Sequence, residues 1–126
     1  MHVVFLSARL PLTKTFVMTG AKIAASPYPL VSRVTSHHHD IKSLDEMYAL
    51  LLDHGSKGHC LLNGHLEAPL NDESRAGRGL KTPREWVVFD FDGVAAVDHA
   101  DVVRRYLPAY CQNVSYIVQL SASMVR

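Results

Sequence analysis

The residues with the plainest chemical purpose are Asp90 and Asp92, which close the run Val87-Val88-Phe89-Asp90-Phe91-Asp92 ahead of Gly93. Along an extended strand successive side chains alternate between faces. Val87, Phe89 and Phe91 then go to one side, and Val88, Asp90 and Asp92 to the other. The two carboxylates project side by side, their Cα atoms about 6.5–7 Å apart. Two like charges at that spacing in an apolar segment repel each other and resist desolvation. A magnesium or manganese ion removes both problems, because hard cations take carboxylate oxygens. With Gly93 letting the backbone open a pocket at the strand end, the expectation is a divalent metal held by Asp90 and Asp92.

A second group is cationic. Between Asn63 and Arg84 the chain is polar and broken by Gly64, Pro69, Gly77, Gly79 and Pro83, and it carries Arg75, Arg78, Lys81 and Arg84. A loop of that length inside a compact domain is more often functional than idle. Its charge suits a nucleotide phosphate or a nucleic-acid backbone, although a solvated loop accounts for it equally well. His37-His38-His39-Asp40 offers metal ligands by type, but neighbours in an extended run point to different sides, so a solvated loop is expected. His54, His59 and His65 flank a helix end and a strand and read as core or surface histidines. Cys60 and Cys111 have no paired spacing and no activating neighbour, which points away from a disulfide framework, a zinc site or a nucleophile.

The elements that must position these groups follow from local patterns. Phe16-Val17-Met18 before Thr19-Gly20 reads as a strand and turn. Pro27 and Pro29 fix an extended stretch that no helix crosses, and Val31 and Val34 suit another short strand. Ser43-Leu44-Asp45-Glu46 matches a capping box, and Leu44, Met47, Tyr48 and Leu51 recur at helical spacing up to Gly55, which predicts a helix over 44–54. Cys60-Leu61-Leu62 reads as a buried strand, and Trp86 to Phe91 as the strand that bears the acids. Asp98 is the expected N-cap of a second helix with the stripe Val103, Tyr106 and Leu107, ending at Pro108. Val114, Tyr116, Val118 and Leu120 alternate with polar or opposite-facing neighbours, a strand period. The expected fold class is α+β, with a mixed or antiparallel sheet carrying the Asp strand and two helices packed on it.

The bulk composition sets the outer bounds. At 126 residues, 48% apolar and 20% charged, the chain suits one ordinary globular domain or part of one. A net charge of +1 makes no long-range case for nucleic acid or membrane, so any such contact must be local. The apolar start Met1 to Leu6 is interrupted by Arg9 and Pro11, and no stretch approaches the roughly 20 apolar residues of a membrane span. A reducing cytoplasm is the default location, with no membrane partner.

Two enzyme groups use paired acids on a strand. Asp90-Phe91-Asp92-Gly93-Val94 resembles the first motif of haloacid-dehalogenase-like phosphatases, whose first Asp is the nucleophile and whose second is the acid/base. The same hydrophobic-hydrophobic-Asp-x-Asp pattern is also the first motif of the archaeo-eukaryotic primase superfamily, in which both acids bind catalytic metals. The 89 residues before Asp90 favour the second group. Gly58-His59-Cys60-Leu61-Leu62-Asn63-Gly64, Pro69-Leu70, Glu73-Ser74-Arg75-Ala76-Gly77 and Thr82 are similar to the leader of phage- and plasmid-type primase-polymerases. Val114 to Ser123 resembles the strand entering that family's second motif, whose serine-rich turn contacts nucleotide phosphates.

The resemblance implies the N-terminal portion of a DNA primase-polymerase, residues 1–126, transferring nucleotidyl groups from nucleoside triphosphates on a DNA template in phage or plasmid replication. Asp90 and Asp92 would be catalytic metal ligands for Mg2+ or Mn2+. Ser121 and Ser123 would lie near the triphosphate, with Arg75 and Arg78 as further phosphate contacts. A helicase domain or subunit is an implied partner, and a bacterial host cytoplasm the implied setting. The family's later histidine and third acidic motif do not occur before Arg126, so the chain by itself is expected to be inactive. The phosphatase's later lysine and acidic pair are missing too. A non-catalytic module that binds nucleotide or template is the third reading.

Overall fold

The apolar start of the chain is the centre of its sheet. In the computed structural model, which describes residues 1–27, 29–91 and 98–119, the run His2–Ser7 forms strand β1, and Val3, Val4, Phe5 and Leu6 are all buried. The chain divides into two compact units, Met1–Val87 and Val88–Arg126.

In the first unit, β1 lies between two antiparallel neighbours. One is β4 (Thr35–Asp40), with His2 opposite Asp40 and Ser7 opposite Thr35. The other is β5 (Cys60–Leu61), with Phe5 opposite Leu61. The order is therefore β4-β1-β5. Because opposed residues share a face, His2, Val4 and Leu6 line up with Asp40, His38 and Ser36, while Val3, Phe5 and Ser7 line up with His39, His37 and Thr35.

The first face carries the main apolar cluster, Val4, Leu6, Val34, Leu66 and Leu70, flanked by Leu12, Val31, Cys60 and Leu62. The second face carries helix α1 (Leu44–Ser56), whose His54 ring stacks on Phe5 at 4.0 Å between centroids. The helix starts as its sequence dictates. Ser43 Oγ accepts from the Glu46 amide at 3.2 Å, and the Glu46 carboxylate accepts from the Lys42 amide at 2.7 Å, one residue before the cap. It runs two residues beyond the predicted end.

Strands β2 (Phe16–Thr19) and β3 (Lys22–Ala25) make a separate hairpin, and β6 (His65–Leu66) pairs with β7 (Gly79–Leu80) inside the polar stretch expected to be a loop. Val31 and Val34 do not build the short strand expected of them. Val34 makes only a single bridge to Glu73. The chain from Leu70 to Glu73 covers the open edge of β4 there: Ser36 exchanges bonds with Leu70, and Thr35 Oγ1 accepts from the Asp72 amide at 3.0 Å. Trp86 closes the other end, its indole N–H donating to the His2 carbonyl at 2.9 Å.

In the second unit, helix α2 (His99–Tyr106) begins at the predicted cap, Asp98, whose carboxylate accepts from the Asp101 amide at 2.8 Å. Asp101 is buried and paired to Arg105 at 2.8 Å and Arg104 at 3.3 Å. A single 3-10 turn, Ala109–Cys111, follows. Two expected strands are not formed. Residues 86–91 and 114–119 join no ladder, and Val87, Val88, Phe89, Val114, Tyr116 and Val118 are exposed. The class is α+β with antiparallel sheets and two helices, but the sheet runs through the histidine segment and not through Asp90. Alternating apolar residues supply the side chains of a strand; the ladder also needs an adjacent backbone edge, and no described strand offers one to these segments.

Candidate functional site

A cleft in the first unit lies where the β6–β7 ribbon faces the turn after β5. It has a volume of about 310 Å³ and is lined by Leu62, Asn63, His65, Arg75, Gly79 and Lys81. Leu66 pairs with Gly79 and His65 with Leu80, so the ribbon holds His65 and Lys81 at one wall. Gly77 sits at φ +71°, and the turn it allows is closed by the Arg78 amide donating to the Arg75 carbonyl at 3.1 Å. Arg78 in turn accepts from the Glu67 amide through its carbonyl at 3.0 Å. His65 Nε2 is buried and has no hydrogen-bond partner among the described residues. Two cations, an amide side chain and an unsatisfied ring nitrogen make this cleft suited to an anion.

Arg75 thus lines the cleft, whereas Arg78 shapes the turn beside it through its backbone. Arg75 also lies near enough to Cys60 to offset part of the rise that burial gives the thiol. Burial thus favours the protonated Cys60 thiol over the thiolate.

Asp90 belongs to the second unit. The Phe89 and Phe91 rings are 6.2 Å apart and nearly parallel, and Phe91 meets Tyr106 of α2 at 6.0 Å. Two residues apart and on the same side, the phenylalanines keep the alternation expected of the segment, although no ladder forms. Asp90 between them is exposed. Asp92, Ser121 and Ser123 lie outside the described residues. Among the described residues no group of three or more His, Cys, Asp or Glu side chains is arranged to hold a metal ion.

The chain matches no family model, no curated protein and no solved structure.

The sequence reading missed the histidines. The segment His37-His38-His39-Asp40, expected to be a solvated loop, is most of strand β4, and its residues divide between the two faces. On the helix face, His54 Nε2 meets His39 Nε2 at 3.0 Å and His54 Nδ1 meets His59 Nδ1 at 2.8 Å. His37 stacks on His59 at 4.9 Å and bonds Ser7 Oγ at 2.8 Å. On the opposite face His2 joins His38 at 3.2 Å and Asp40 at 2.8 Å, and His38 reaches Ser36 Oγ at 2.9 Å.

The buried His54 pays most for charge. Burial first, then the neighbouring His39, His59 and His37, lower its pKa from 6.5 to about 4. Burial and His59 lower His37, and burial and His2 lower His38. The signal available in sequence was the antiparallel complement itself: an apolar run at residues 3–6 needs a partner strand, and residues 35–40 are a segment of matching length without Gly or Pro.

Proposed function

We propose that the chain is part of a primase-polymerase, binding nucleoside triphosphates with Mg2+ or Mn2+ for nucleotidyl transfer on a DNA template. The observation that carries this reading is the hydrophobic-hydrophobic-Asp-x-Asp sequence from Val88 to Asp92, preceded by the leader-like segments from Gly58 to Gly77. Asp90 supports it by standing exposed between Phe89 and Phe91, whose rings stack on each other and of which Phe91 meets Tyr106 of α2. The cationic cleft with Arg75 and Lys81 supports it as a place for phosphate oxygens.

In this reading Asp90 and Asp92 are metal ligands, and Ser121 and Ser123 contact phosphate. The work of the protein is to position the triphosphate and neutralise charge that develops at the transferred phosphorus. No covalent step on the protein is needed, so no activated cysteine or serine is required.

The test is binding of a nucleoside triphosphate to the 126-residue chain by equilibrium dialysis, with and without Mn2+. Metal-dependent binding that Asp90→Asn makes metal-independent, and that Arg75→Gln weakens about tenfold, is the expected result, a charge-assisted hydrogen bond being worth roughly that factor. Release of inorganic phosphate from small phosphate esters, with an aspartyl adduct trapped on Asp90 by a metal fluoride, decides instead for the phosphatase. Triphosphate binding indifferent to metal and to Asp90 decides for a non-catalytic binding module.

A further inference from the structure

Three side chains of β4 and one of β1 form a single directed hydrogen-bond chain. Ser36, His38 and Asp40 stand at alternate positions of β4 and so share a face, and His2 lies opposite Asp40 across the ladder. Ser36 Oγ is 2.9 Å from His38 Nε2, His38 Nδ1 is 3.2 Å from His2 Nε2, and His2 Nδ1 is 2.8 Å from Asp40 Oδ1. The carboxylate end fixes the protons. The hydrogen bond from His2 holds the Asp40 carboxyl below its usual range, so at neutral pH it is ionised and can only accept. His2 Nδ1 therefore carries a hydrogen. With both rings neutral, His2 Nε2 is then an acceptor, His38 Nδ1 a donor, and His38 Nε2 the acceptor for the Ser36 hydroxyl. The Leu70 amide donates to Ser36 Oγ at 2.8 Å, which occupies a lone pair and leaves the O–H for His38.

A second serine–histidine pair shows what sets this one apart. On the opposite face Ser7 Oγ is 2.8 Å from His37 Nε2. The groups that act on His37 are His59, His39, Lys57 and His38, and every one of them opposes a proton there. His38 also has its pKa lowered, by burial first and then by His2 and His39, so it is a free base at neutral pH, but Asp40 acts in the other direction. A proton that His38 takes from Ser36 can be followed by transfer of its Nδ1 proton to His2 Nε2, which brings the positive charge against the Asp40 carboxylate. A hydroxyl and a base within hydrogen-bond reach, the base oriented by a further group, is the arrangement of an activated nucleophile on unrelated folds. Ser36 and His38 are half-buried and not sealed in the core. Leu6 lies opposite Ser36 across the ladder and Leu70 beside it, both buried, so an acyl group brought to Ser36 meets apolar surface.

We propose that Ser36 is the nucleophile of a separate reactive centre that cleaves carboxylic esters with small apolar acyl groups, with His38 as its general base and His2 and Asp40 as positioning residues. Ser36 Oγ bonds to the carbonyl carbon while its proton passes to His38 Nε2. The bond from that carbon to the alcohol oxygen breaks, and the alcohol leaves with the proton from His38. Water then attacks the acyl-serine, gives a proton to His38, and Ser36 departs with that proton as a hydroxyl again; the products are a carboxylic acid and an alcohol. This centre goes beyond the nucleotide chemistry of Asp90 and does not depend on it.

The experiment treats the 126-residue chain with p-nitrophenyl acetate in EDTA, follows nitrophenol release, and maps the acetyl group by peptide mass spectrometry. The expected result is an acetyl adduct on Ser36 of the unaltered chain, which needs no variant to read. His38→Gln should slow its formation about a hundredfold or more, the usual worth of a general base, with the circular dichroism spectrum retained. Ser7→Ala and Asp90→Asn should leave the rate unchanged, so that failure here and failure of the metal reading are distinguishable. The groups acting on His38 are His2 of β1 and His39 and Asp40 of β4, with His65 of β6 edge-on to His2 at 5.4 Å. Of these only Asp40 favours a proton on His38, so Asp40→Asn should move the midpoint of the pH–rate curve to lower pH and Asp40→Glu should restore it, a shift that a merely structural role would not produce. An unmodified Ser36 in the folded chain, acetylation on Ser7 or on lysines alone, an equal rate in folded His38→Gln, or a midpoint indifferent to Asp40→Asn overturns the proposal.

Discussion

Acidification should loosen the helix α1 face of the sheet, and His54 is the group that sets the size of the effect. In the folded chain its pKa lies at about 4, against 6.5 for a free histidine. Between those values the unfolded chain binds a proton that the folded chain refuses, so unfolding is favoured by falling pH. The stability His54 contributes is fully present above pH 6.5 and is lost progressively as the pH falls toward about 4. Each tenfold difference in proton affinity is worth about 1.4 kcal/mol, giving a loss of about 3 kcal/mol at most across the window. A domain is typically stable by about 5–15 kcal/mol, so this fraction is readily measured.

The hydrogen-bond chain explains why charge cannot simply be shared. Three rings, His39, His54 and His59, are joined by two nitrogen–nitrogen bonds. Such a chain accommodates one extra proton. A second would force two N–H groups against each other. Around it stand His37 and Lys57, both adding positive charge, with Asp53 on α1 as the opposing carboxylate. Phe5 and Ser7 of β1 face it without charge.

Urea unfolding followed by circular dichroism, repeated from neutral pH down through this window, should show a falling midpoint. In His54→Phe the ring can still lie on Phe5 but cannot titrate. That variant should start less stable by about 1–2 kcal/mol, through the two lost hydrogen bonds, and lose less on acidification. If wild type and variant lost stability in parallel, or if wild type became more stable between pH 6.5 and 4, His54 would not be the group responsible. The carboxylates of Asp40 and Asp53 are held below their usual range by His2 and Lys57, so their contribution falls away only at lower pH.

Three further outcomes follow from particular contacts. Gly58 has φ +72°, and a Cβ there would sit 2.6 Å from Pro11 Cβ, so Gly58→Ala should lower stability by more than about 1 kcal/mol in a thermal melt. Asp98→Ala removes the side-chain N-cap of α2 and should cost about 1 kcal/mol, seen as faster amide exchange in residues 99–106, while Asp98→Asn should be nearly silent. Lys81→Gln should weaken inorganic phosphate binding at the cleft several-fold without changing the unfolding midpoint, because Lys81 is exposed and holds no structural contact with a carboxylate among the described residues.

Sequence periodicity located the elements that complete themselves. Helix α1 and helix α2 carry their caps, their apolar stripes and their stops within their own segments and were legible from them; of the β2–β3 hairpin only the first strand and its turn were read, and the returning strand Lys22–Ala25 was not. Strands that need a distant partner were not legible. Val87 to Phe91 and Val114 to Val118 have strand composition and no ladder, whereas the polar run Thr35 to Asp40 has a ladder because β1, an apolar strand, lies beside it.

The same asymmetry governs the candidate sites. Alternation predicted that Phe89 and Phe91 share a side, and their stacked rings agree with it, since that property is local to three residues. The anion-suited cleft draws on Asn63, His65, Arg75 and Lys81, which meet only because β6 and β7 pair. Arg75 was singled out from its charge, but His65 became part of the cleft through a backbone pairing no local pattern announces. The histidine chain is the extreme case: His39, His54 and His59 come from a strand, a helix and a loop, and their meeting is set by the register of β4 on β1 and the packing of α1 on Phe5. A one-residue slip of β4 would send His37 and His39 to the other face and leave His54 without its partner at His39. Burial of His54 therefore reports on register as well as on pH, and the midpoint shift of His39→Leu should match in sign that of any substitution that slips β4.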